Sequence, residues 1–405
     1  MNLNRRTFLA SIAATAILGD KLGAAIQNSN KSLIWIWLGG GISCTEFYNP
    51  IPDAPEEYRS VTGAIGTNSN YMLGGNFTKL ATIANKLSPV LSFSHKDSTH
   101  HSATHNVMTG YPTLLGSQPG AAQKDPSYGS LISKLTCYCS QQGIPAYVKI
   151  NPIEYDSSVW VGANHVGYEA NGEGVKTLKP NIELDRFRRR LDMVKGFERG
   201  SSDWSDLRTQ AFDIVSGQAS KAFDITQEPE SLVKYNSPFG KNLLLARRLV
   251  EAGAKFITLH HGGWDMHASI KTGFDGLGPD VDYSIFTLLN DLEAKGLLND
   301  TLVVISSEFS RTPKLNQGLA GISDIPGRDH WSAVSPLVLA GGKYLNKGII
   351  GTTNKNAEYP TSKIYGPNDL MYTIFDHFEL DTHTVLHDNS GRPRYLVPEN
   401  SVIIA

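Results

Sequence analysis

Cysteine is scarce in this chain. Three of its 405 residues are cysteines, namely Cys44, Cys137 and Cys139. This number excludes a fold stabilised mainly by disulfides. Cys137 and Cys139 stand two apart, closer than the spacing typical of zinc-binding cysteine pairs. We expect all three to be structural thiols in the protein interior.

The chain also lacks an excess of charge of one sign and a long apolar run. Its formal net charge is -2, which gives no electrostatic reason to expect a nucleic-acid partner. The apolar run from Phe8 to Leu18 is too short to cross about 30 Å of hydrocarbon as a helix. No other segment is long and apolar enough to do so.

The first residues have the order of a targeting signal. Arg5 and Arg6 precede the apolar run, and small residues follow at 23–25. This order is typical of a twin-arginine signal peptide, so we expect residues 1–25 to be a leader cleaved near 24–26. The alternative is a membrane anchor. A leader implies the twin-arginine translocation machinery as partner, and a periplasmic or secreted mature protein without a transmembrane helix.

Apolar runs and helical stripes alternate through the rest of the chain. Buried strands are predicted at 32–38, 90–94, 147–150, 256–259, 302–305 and 336–340. Helices are predicted at 79–87, 241–253, 285–296 and 371–378. The alternation predicts an α/β fold with a mostly parallel sheet covered by helices on both faces. A charged, helix-favouring insertion is predicted at 181–235 and a C-terminal tail at 386–405.

The loop after the strand 256–259 carries metal-binding residue types. Asp265 and His267 stand two apart beyond a Gly-Gly turn, so both side chains can project the same way. A carboxylate with an imidazole suits zinc, manganese or iron. His260 and His261 precede the turn, and we expect one of them to pack within the sheet. For any single histidine here, the alternative is a structural role.

Two further strand-associated loops carry similar residues. His330 precedes the strand 336–340 and is a candidate ligand, and Asp329 is a candidate ligand or a residue that supports one. Glu308 follows the strand 302–305, where an unpaired buried carboxylate is unfavourable. We expect it to bind a metal, to form an ion pair with Arg311 or to reach solvent. Arg311 is also a candidate clamp for a substrate oxyanion.

A loop rich in hydroxyl and imidazole groups spans 98–110. Ser102 or Thr104, near the start of a helix, is a candidate nucleophile or part of an anion pocket. The alternative is that Ser102 caps the helix. The sequence does not choose between the two hydroxyls.

Four motifs in order resemble one large family of exported bacterial proteins. They are Ala-Arg-Arg-Leu-Val-Glu-Ala-Gly-Ala-Lys-Phe-Ile (246–257), His-Gly-Gly-Trp-Asp-Met-His (261–267), Ser-Glu-Phe-Ser-Arg-Thr-Pro (307–313), and Gly-Arg-Asp-His-Trp (327–331) followed by Leu-Ala-Gly-Gly (339–342). The family is domain-of-unknown-function family 1501, related in fold to the alkaline phosphatase and sulfatase superfamily. The resemblance covers about residues 30–385. It implies an alkaline-phosphatase-like, three-layer α/β/α sandwich with metal ligands at one sheet edge.

The resemblance also implies roles for individual residues. Asp265 and His267 resemble an Asp…His ligand pair, Glu308 an acidic ligand at a strand end, and His330 a ligand before the next strand. Three positions depart from the superfamily pattern. Leu38 and Gly39 stand where the first strand should end in an acid, with Glu46 the nearest carboxylate. Phe309 replaces a second ligand, and a Cys-x-Pro-x-Arg sulfatase signature is absent.

These features support two hypotheses about function. One is an exported hydrolase of phosphate or sulfate esters, with a divalent metal, zinc or alternatively manganese or calcium, held by Asp265, His267 and His330. Its substrate would be a small-molecule or polymer ester. The other is a non-catalytic binding or scaffold protein that retains the fold with a degenerate site.

Overall fold

The computed structural model describes residues 30–113, 123–136, 143–170 and 219–405, and the short pieces 183, 185–186, 189–190 and 192–193. The expected leader and most of the expected insertion at 181–235 lie outside these residues, as do Cys137 and Cys139. The last part of the insertion is helical, at Ala219–Phe223 and Pro229–Lys234. Cys44 is a free, buried thiol, and burial raises its pKa to about 11.

Seven strands form the central sheet. In chain order they are β1 (Ser32–Trp37), β2 (Leu87–Pro89), β3 (Tyr147–Ile150), β4 (Tyr168–Glu169), β5 (Phe256–His260), β6 (Thr301–Ser306) and β7 (Leu337–Ala340). Across the sheet their order is β2-β7-β6-β1-β5-β3-β4. β1 pairs in parallel with β5 and β6, and β5 with β3, whereas β7 is antiparallel to β6 and β2. The mostly parallel sheet is therefore confirmed.

The remaining elements surround this sheet. The α-helices of the described residues are α1 (Cys44–Phe47), α2 (Thr78–Ala81), α3 (His100–Thr109), α4 (Tyr128–Leu135), α5 (Ala219–Phe223), α6 (Pro229–Lys234), α7 (Pro238–Glu251), α8 (Ile270–Ala294) and α9 (Pro367–His377). Small antiparallel ribbons join Ala64–Gly66 to Met72–Gly74, Ser310–Arg311 to His330–Trp331, and Val385–His387 to Pro393–Tyr395. Within the described ranges, none of the helices combines the length and apolar character that a membrane span requires.

The side chains of β1 alternate between two hydrophobic cores, because successive strand residues point to opposite faces. Ile34 and Ile36 lie in one core with residues of α7 and α8. Leu33, Trp35 and Trp37 lie in the other with residues of α3, α4 and α9. Helices thus cover both faces of the sheet. The three-layer α/β/α sandwich expected from the sequence is confirmed.

Several predicted bounds are wrong. The ladder of β2 ends at Pro89, so the predicted strand 90–94 is displaced. Val90 and Phe93 instead make isolated bridges to Ile350 and Tyr365. This apolar run is buried because it packs under later segments, without continuing the ladder.

Two helices also differ from their predictions. The predicted helix 79–87 is divided into α2 and a short 3-10 helix at Ala84–Lys86. Helix α8 begins at Ile270 rather than near residue 285 and contains Pro279. Buried Phe274 and Val281 continue its apolar stripe on both sides of the proline, which explains why the helix extends further.

The order of the strands brings the chemically interesting loops together. Strands β6, β1 and β5 are adjacent and parallel, so the loops that follow Ser306, Trp37 and His260 leave the same edge of the sheet. The ribbon that pairs His330 with Arg311 carries His330 to the same edge.

Candidate metal centre

Asp265, His267 and His330 bring three ligand-type atoms into a near-equilateral triangle. Oδ1 of Asp265 lies 3.1 Å from Nε2 of His267 and 3.2 Å from Nε2 of His330. The two Nε2 atoms are 3.0 Å apart. At tetrahedral angles, bonds of about 2.0–2.2 Å to one zinc ion would separate its ligand atoms by roughly 3.3–3.6 Å. The observed distances are slightly shorter, so a small widening of the triangle would let it hold a single metal ion. The structure thus brings together the three residues that the sequence singled out as ligand candidates.

His100 is a fourth ligand-type side chain at this cluster, and the sequence reasoning missed it. Its Nε2 lies 3.4 Å from Oδ2 of Asp265, and its Nδ1 lies 2.7 Å from Oε1 of Glu308. Ligand atoms of His100, Asp265 and His330 all lie within 4.8 Å of one another. Hydrogen bonds with Asp265 and then Glu308 raise the pKa of His100 to about 9. The available signal was its place at the helix start after β2.

Each of the three imidazoles is held by its other nitrogen. Nδ1 of His267 lies 2.7 Å from Oδ1 of Asp329, and Nδ1 of His330 lies 2.9 Å from the carbonyl oxygen of Ser98. Glu308 holds Nδ1 of His100 in the same way. Because carboxylates and carbonyls accept hydrogen bonds, they favour a proton on Nδ1 and a lone pair on Nε2. In the metal-free cluster, Nε2 of His100 and Nε2 of His330 share protons with Asp265; once those protons are lost, the lone pairs of these tautomers point into the cluster.

Glu308 orients other groups from a buried position. Its Oε1 accepts a hydrogen bond from the backbone N–H of Gly40 at 2.8 Å, and its Oε2 accepts one from the Ser307 hydroxyl at 2.7 Å. With the contact to His100, its oxygens are largely engaged. The alternative of an ion pair with Arg311 is wrong, because Arg311 pairs with Asp265 instead. Glu308 occupies the position of an orienting carboxylate.

Arg311 is a buried anchor. Its Nε donates to the carbonyl of Gly41 at 2.9 Å, and its Nη1 donates to the carbonyl of Arg328 at 3.3 Å. Its Nη2 contacts both the carbonyl of Gly40 and Oδ1 of Asp265. This corrects the expectation of an oxyanion clamp, since the guanidinium nitrogens already face protein acceptors and the side chain has no exposed surface.

Asp265 remains ionised in this setting. Burial alone would raise the pKa of its carboxyl group, but hydrogen bonds from His100, His330 and Arg311 hold that pKa well below the usual range. A metal ligand must be deprotonated to bind, and Asp265 satisfies this condition.

The two predicted nucleophiles lie in the first turns of α3. Ser102 and Thr104 are both buried, and the Ser102 hydroxyl contacts that of Thr99. The N-cap residue of α3 is Thr99, so the alternative of Ser102 as N-cap is wrong. Within the described residues, neither hydroxyl hydrogen-bonds to Asp265, His267 or His330.

The sequence comparison identifies the family. The family model described as "Protein of unknown function (DUF1501)" matches residues 30–405. The chain belongs to the DUF1501 family. No curated protein matches its sequence.

Solved structures resembling this DUF1501 protein include sulfatases and phosphatases. PsFucS1 sulfatase from Pseudoalteromonas sp. is 14% identical, with a TM-score of 0.38, 93% of this chain covered and 77% of the other. Alkaline phosphatase from the Antarctic bacterium TAB5 is 14% identical, with a TM-score of 0.37, 87% of this chain covered and 99% of the other. Lipoteichoic acid synthase LtaP from Listeria monocytogenes is 12% identical, with a TM-score of 0.40 and coverages of 89% and 78%. Such distant likenesses do not bear on activity.

Three other residues that the sequence singled out, Phe309, Glu46 and His261, make structural contacts. The ring of Phe309 packs on His330 with centroids 4.2 Å apart and on His100 with centroids 4.9 Å apart. Glu46 forms a fully buried ion pair with Arg328 at 3.0 Å. His261 stacks on Phe239, with centroids 4.3 Å apart. One of His260 and His261 was expected within the sheet; His260 is the last residue of β5, whereas His261 packs on α7.

Proposed function

We propose that this protein is a metal-dependent hydrolase of phosphate or sulfate esters, with its metal held by Asp265, His267 and His330. The observation that supports this most directly is the convergence of their three acceptor atoms at 3.0–3.2 Å. Three lone-pair acceptors so close repel one another unless a cation or a proton lies between them. His100 would be an additional ligand or would orient Asp265.

The composition of the cluster favours zinc. Asp265, Glu308 and Asp329 supply three negative charges against the positive charges of Arg311 and, in the metal-free cluster, of His100, so an excess of negative charge remains for a cation to balance. Imidazole nitrogens with one carboxylate oxygen suit zinc, whereas calcium takes oxygen ligands almost exclusively. Manganese is a second candidate on the same reasoning, and calcium the least favoured.

The bound ion would supply Lewis acidity towards an ester oxygen and would favour deprotonation of the attacking group. The chain's own residues would perform the positioning. Asp329 and the Ser98 carbonyl orient two imidazoles, and Glu308 orients the third. The attacking group is water or the hydroxyl of Ser102 or Thr104. An attack by either hydroxyl would need the start of α3 to shift, since both are buried.

Export is a separate part of the proposal. The paired arginines and the short apolar run predict transport by the twin-arginine machinery to the periplasm or the exterior. That route carries folded proteins, which is compatible with metal loading before export.

Elemental analysis tests the metal site. We expect protein purified without chelators to carry one zinc or manganese ion per chain. Asp265→Asn and His267→Ala should lose it, while His387→Ala, in the exposed C-terminal ribbon, should retain it. A panel of phosphate and sulfate monoesters with added Zn²⁺ or Mn²⁺ then tests catalysis. A metal-free wild type that takes up neither ion would overturn the proposal.

A non-catalytic scaffold is the second candidate, and two observations favour it. Phe309 fills a position where a second ligand would stand, and Glu46 is committed to Arg328. A metal-loaded wild type that hydrolyses no ester in the panel would support this alternative. An Asp265→Asn variant with the same metal content and the same ester hydrolysis as the wild type would also support it.

A further inference from the structure

The side chain of Asn316 joins a surface loop to the candidate metal centre. Its Nδ2 donates to the backbone carbonyl of His267 at 2.8 Å and contacts Oδ1 of Asp329 at 3.3 Å. Its Oδ1 accepts hydrogen bonds from the backbone N–H groups of Gly318 at 2.9 Å and Gly327 at 2.8 Å. One amide therefore contacts four groups in three segments.

The orientation of this amide follows from its partners. Both groups facing Oδ1 are N–H donors, and both atoms facing Nδ2 are oxygens. Exchanging the two amide atoms would replace all four favourable contacts with unfavourable ones. The assignment is thus fixed by chemistry.

The loop 317–326 is closed at its base by these contacts. Asn316 donates its backbone N–H to the carbonyl of Gly327 at 3.0 Å, and Ser269 donates its own to the carbonyl of Ile325 at 3.0 Å. A Cβ on Gly327 would lie 2.3 Å from the carbonyl atoms of His267, so only glycine fits there without a shift. The loop and the ligand-bearing segment therefore lie in direct backbone contact.

We propose that Asn316 is a positioning residue that holds this loop closed and fixes the His267–Asp329 pair, so that Nε2 of His267 faces the metal. The proposal rests on the proposed function, which makes His267 a ligand. Asp329 orients His267 through its Oδ1, the same atom that Asn316 contacts. Outer groups of this kind commonly change metal affinity by about 10- to 100-fold when removed.

Two substitutions separate the contacts of Oδ1, which hold the loop, from those of Nδ2, which fix the His267–Asp329 pair. Asn316→Asp keeps an oxygen for the N–H groups of Gly318 and Gly327, but it places a second oxygen against the His267 carbonyl and the Asp329 carboxylate. Asn316→Ala removes the contacts of both Oδ1 and Nδ2. The control is Asn68→Asp, since Asn68 accepts from the Asn85 N–H at 3.1 Å and donates to the Thr82 carbonyl at 2.8 Å, without contacting the cluster.

The measurements are Zn²⁺ affinity by chelator competition and the rate of chymotryptic cleavage after Leu319. We expect Asn316→Asp to weaken Zn²⁺ binding about 10- to 100-fold while the loop stays as resistant to cleavage as in the wild type. Asn316→Ala should weaken binding and also speed cleavage, with or without Zn²⁺. The Asn68→Asp control should match the wild type in both assays.

Either of two results would overturn the inference. One is wild-type Zn²⁺ affinity in Asn316→Asp, and the other is wild-type resistance to cleavage in Asn316→Ala. A wild type that takes up no Zn²⁺ is a different outcome, because it counts against the metal site itself. The cleavage comparison, which needs no metal, then decides by itself whether Asn316 holds the loop.

Discussion

Glu46 offers a test of whether a buried carboxylate serves the fold or the site. Its side chain and that of Arg328 have no exposed surface, and Oε1 of Glu46 lies 3.0 Å from Nε of Arg328. Its Oε2 accepts from the Ser60 hydroxyl at 2.5 Å. Arg328 also donates to backbone carbonyls, including that of Arg59 at 2.8 Å.

Glu46→Gln keeps the size of the side chain and removes its charge. The buried guanidinium then lacks an ionic partner, which typically destabilises a protein by about 3–5 kcal/mol. For a chain of this length, a loss of that size corresponds to a fall in melting temperature of about 5 °C. Glu293→Gln is the matched control, because Glu293 pairs with Lys86 while its side chain is 60% exposed. Such a pair is worth about 0–1 kcal/mol.

Urea unfolding followed by tryptophan fluorescence, with EDTA present so that metal binding adds nothing to stability, measures both variants. Zinc content is measured separately on protein prepared without chelator. We expect Glu46→Gln to lose stability and retain zinc. A Glu46→Gln protein as stable as Glu293→Gln but without zinc would refute the reasoning and make Glu46 a ligand after all.

Two further predictions concern stability and loop placement. Burial lowers the pKa of His377 to about 4, and its Nε2 donates to the carbonyl of Ser32 at 2.9 Å. As pH falls, the unfolded state therefore binds a proton at this histidine before the folded state does. Between about pH 7 and about pH 5, the free energy of unfolding measured in urea should fall by about 2 kcal/mol more in the wild type than in His377→Gln. Parallel pH profiles of the two proteins would contradict this. Gly327→Ala should reduce zinc content, because its Cβ would meet the His267 backbone at 2.3 Å. The control is Gly276→Ala, which lies in α8 with open space around it. It should retain zinc and be more stable than the wild type by about 1 kcal/mol. Equal zinc content in the two alanine variants would disprove close packing at Gly327.

The layer arrangement was predictable because it depends on repetitive patterns. A buried central strand such as β1 needs apolar residues at every position, since both faces are covered, and the sequence shows that run directly. The strand 90–94 was misplaced for the same reason. An apolar run indicates burial, but it does not indicate whether the backbone finds a ladder partner.

The candidate site was predictable where a side chain of the cluster follows its own strand. Asp265 and Glu308 were found because parallel strands deliver their following loops to one edge. His100 was missed because its contribution depends on how α3 is turned towards Asp265, which no local spacing encodes. The role of Arg311 was misjudged because its partners, the carbonyls of Gly40 and Gly41, belong to a loop about 270 residues earlier in the chain.

Arg311 also explains how Asp265 acquires its orientation. The guanidinium holds Oδ1 of Asp265 while it binds the carbonyls of Gly40 and Gly41 after β1 and that of Arg328 before His330. The loops that meet at the cluster are therefore fixed relative to one another by a single buried side chain. Side chains held in this way by protein contacts would not need to be ordered by a metal. The site is therefore preorganised, and binding of the proposed metal would require no rearrangement of the backbone.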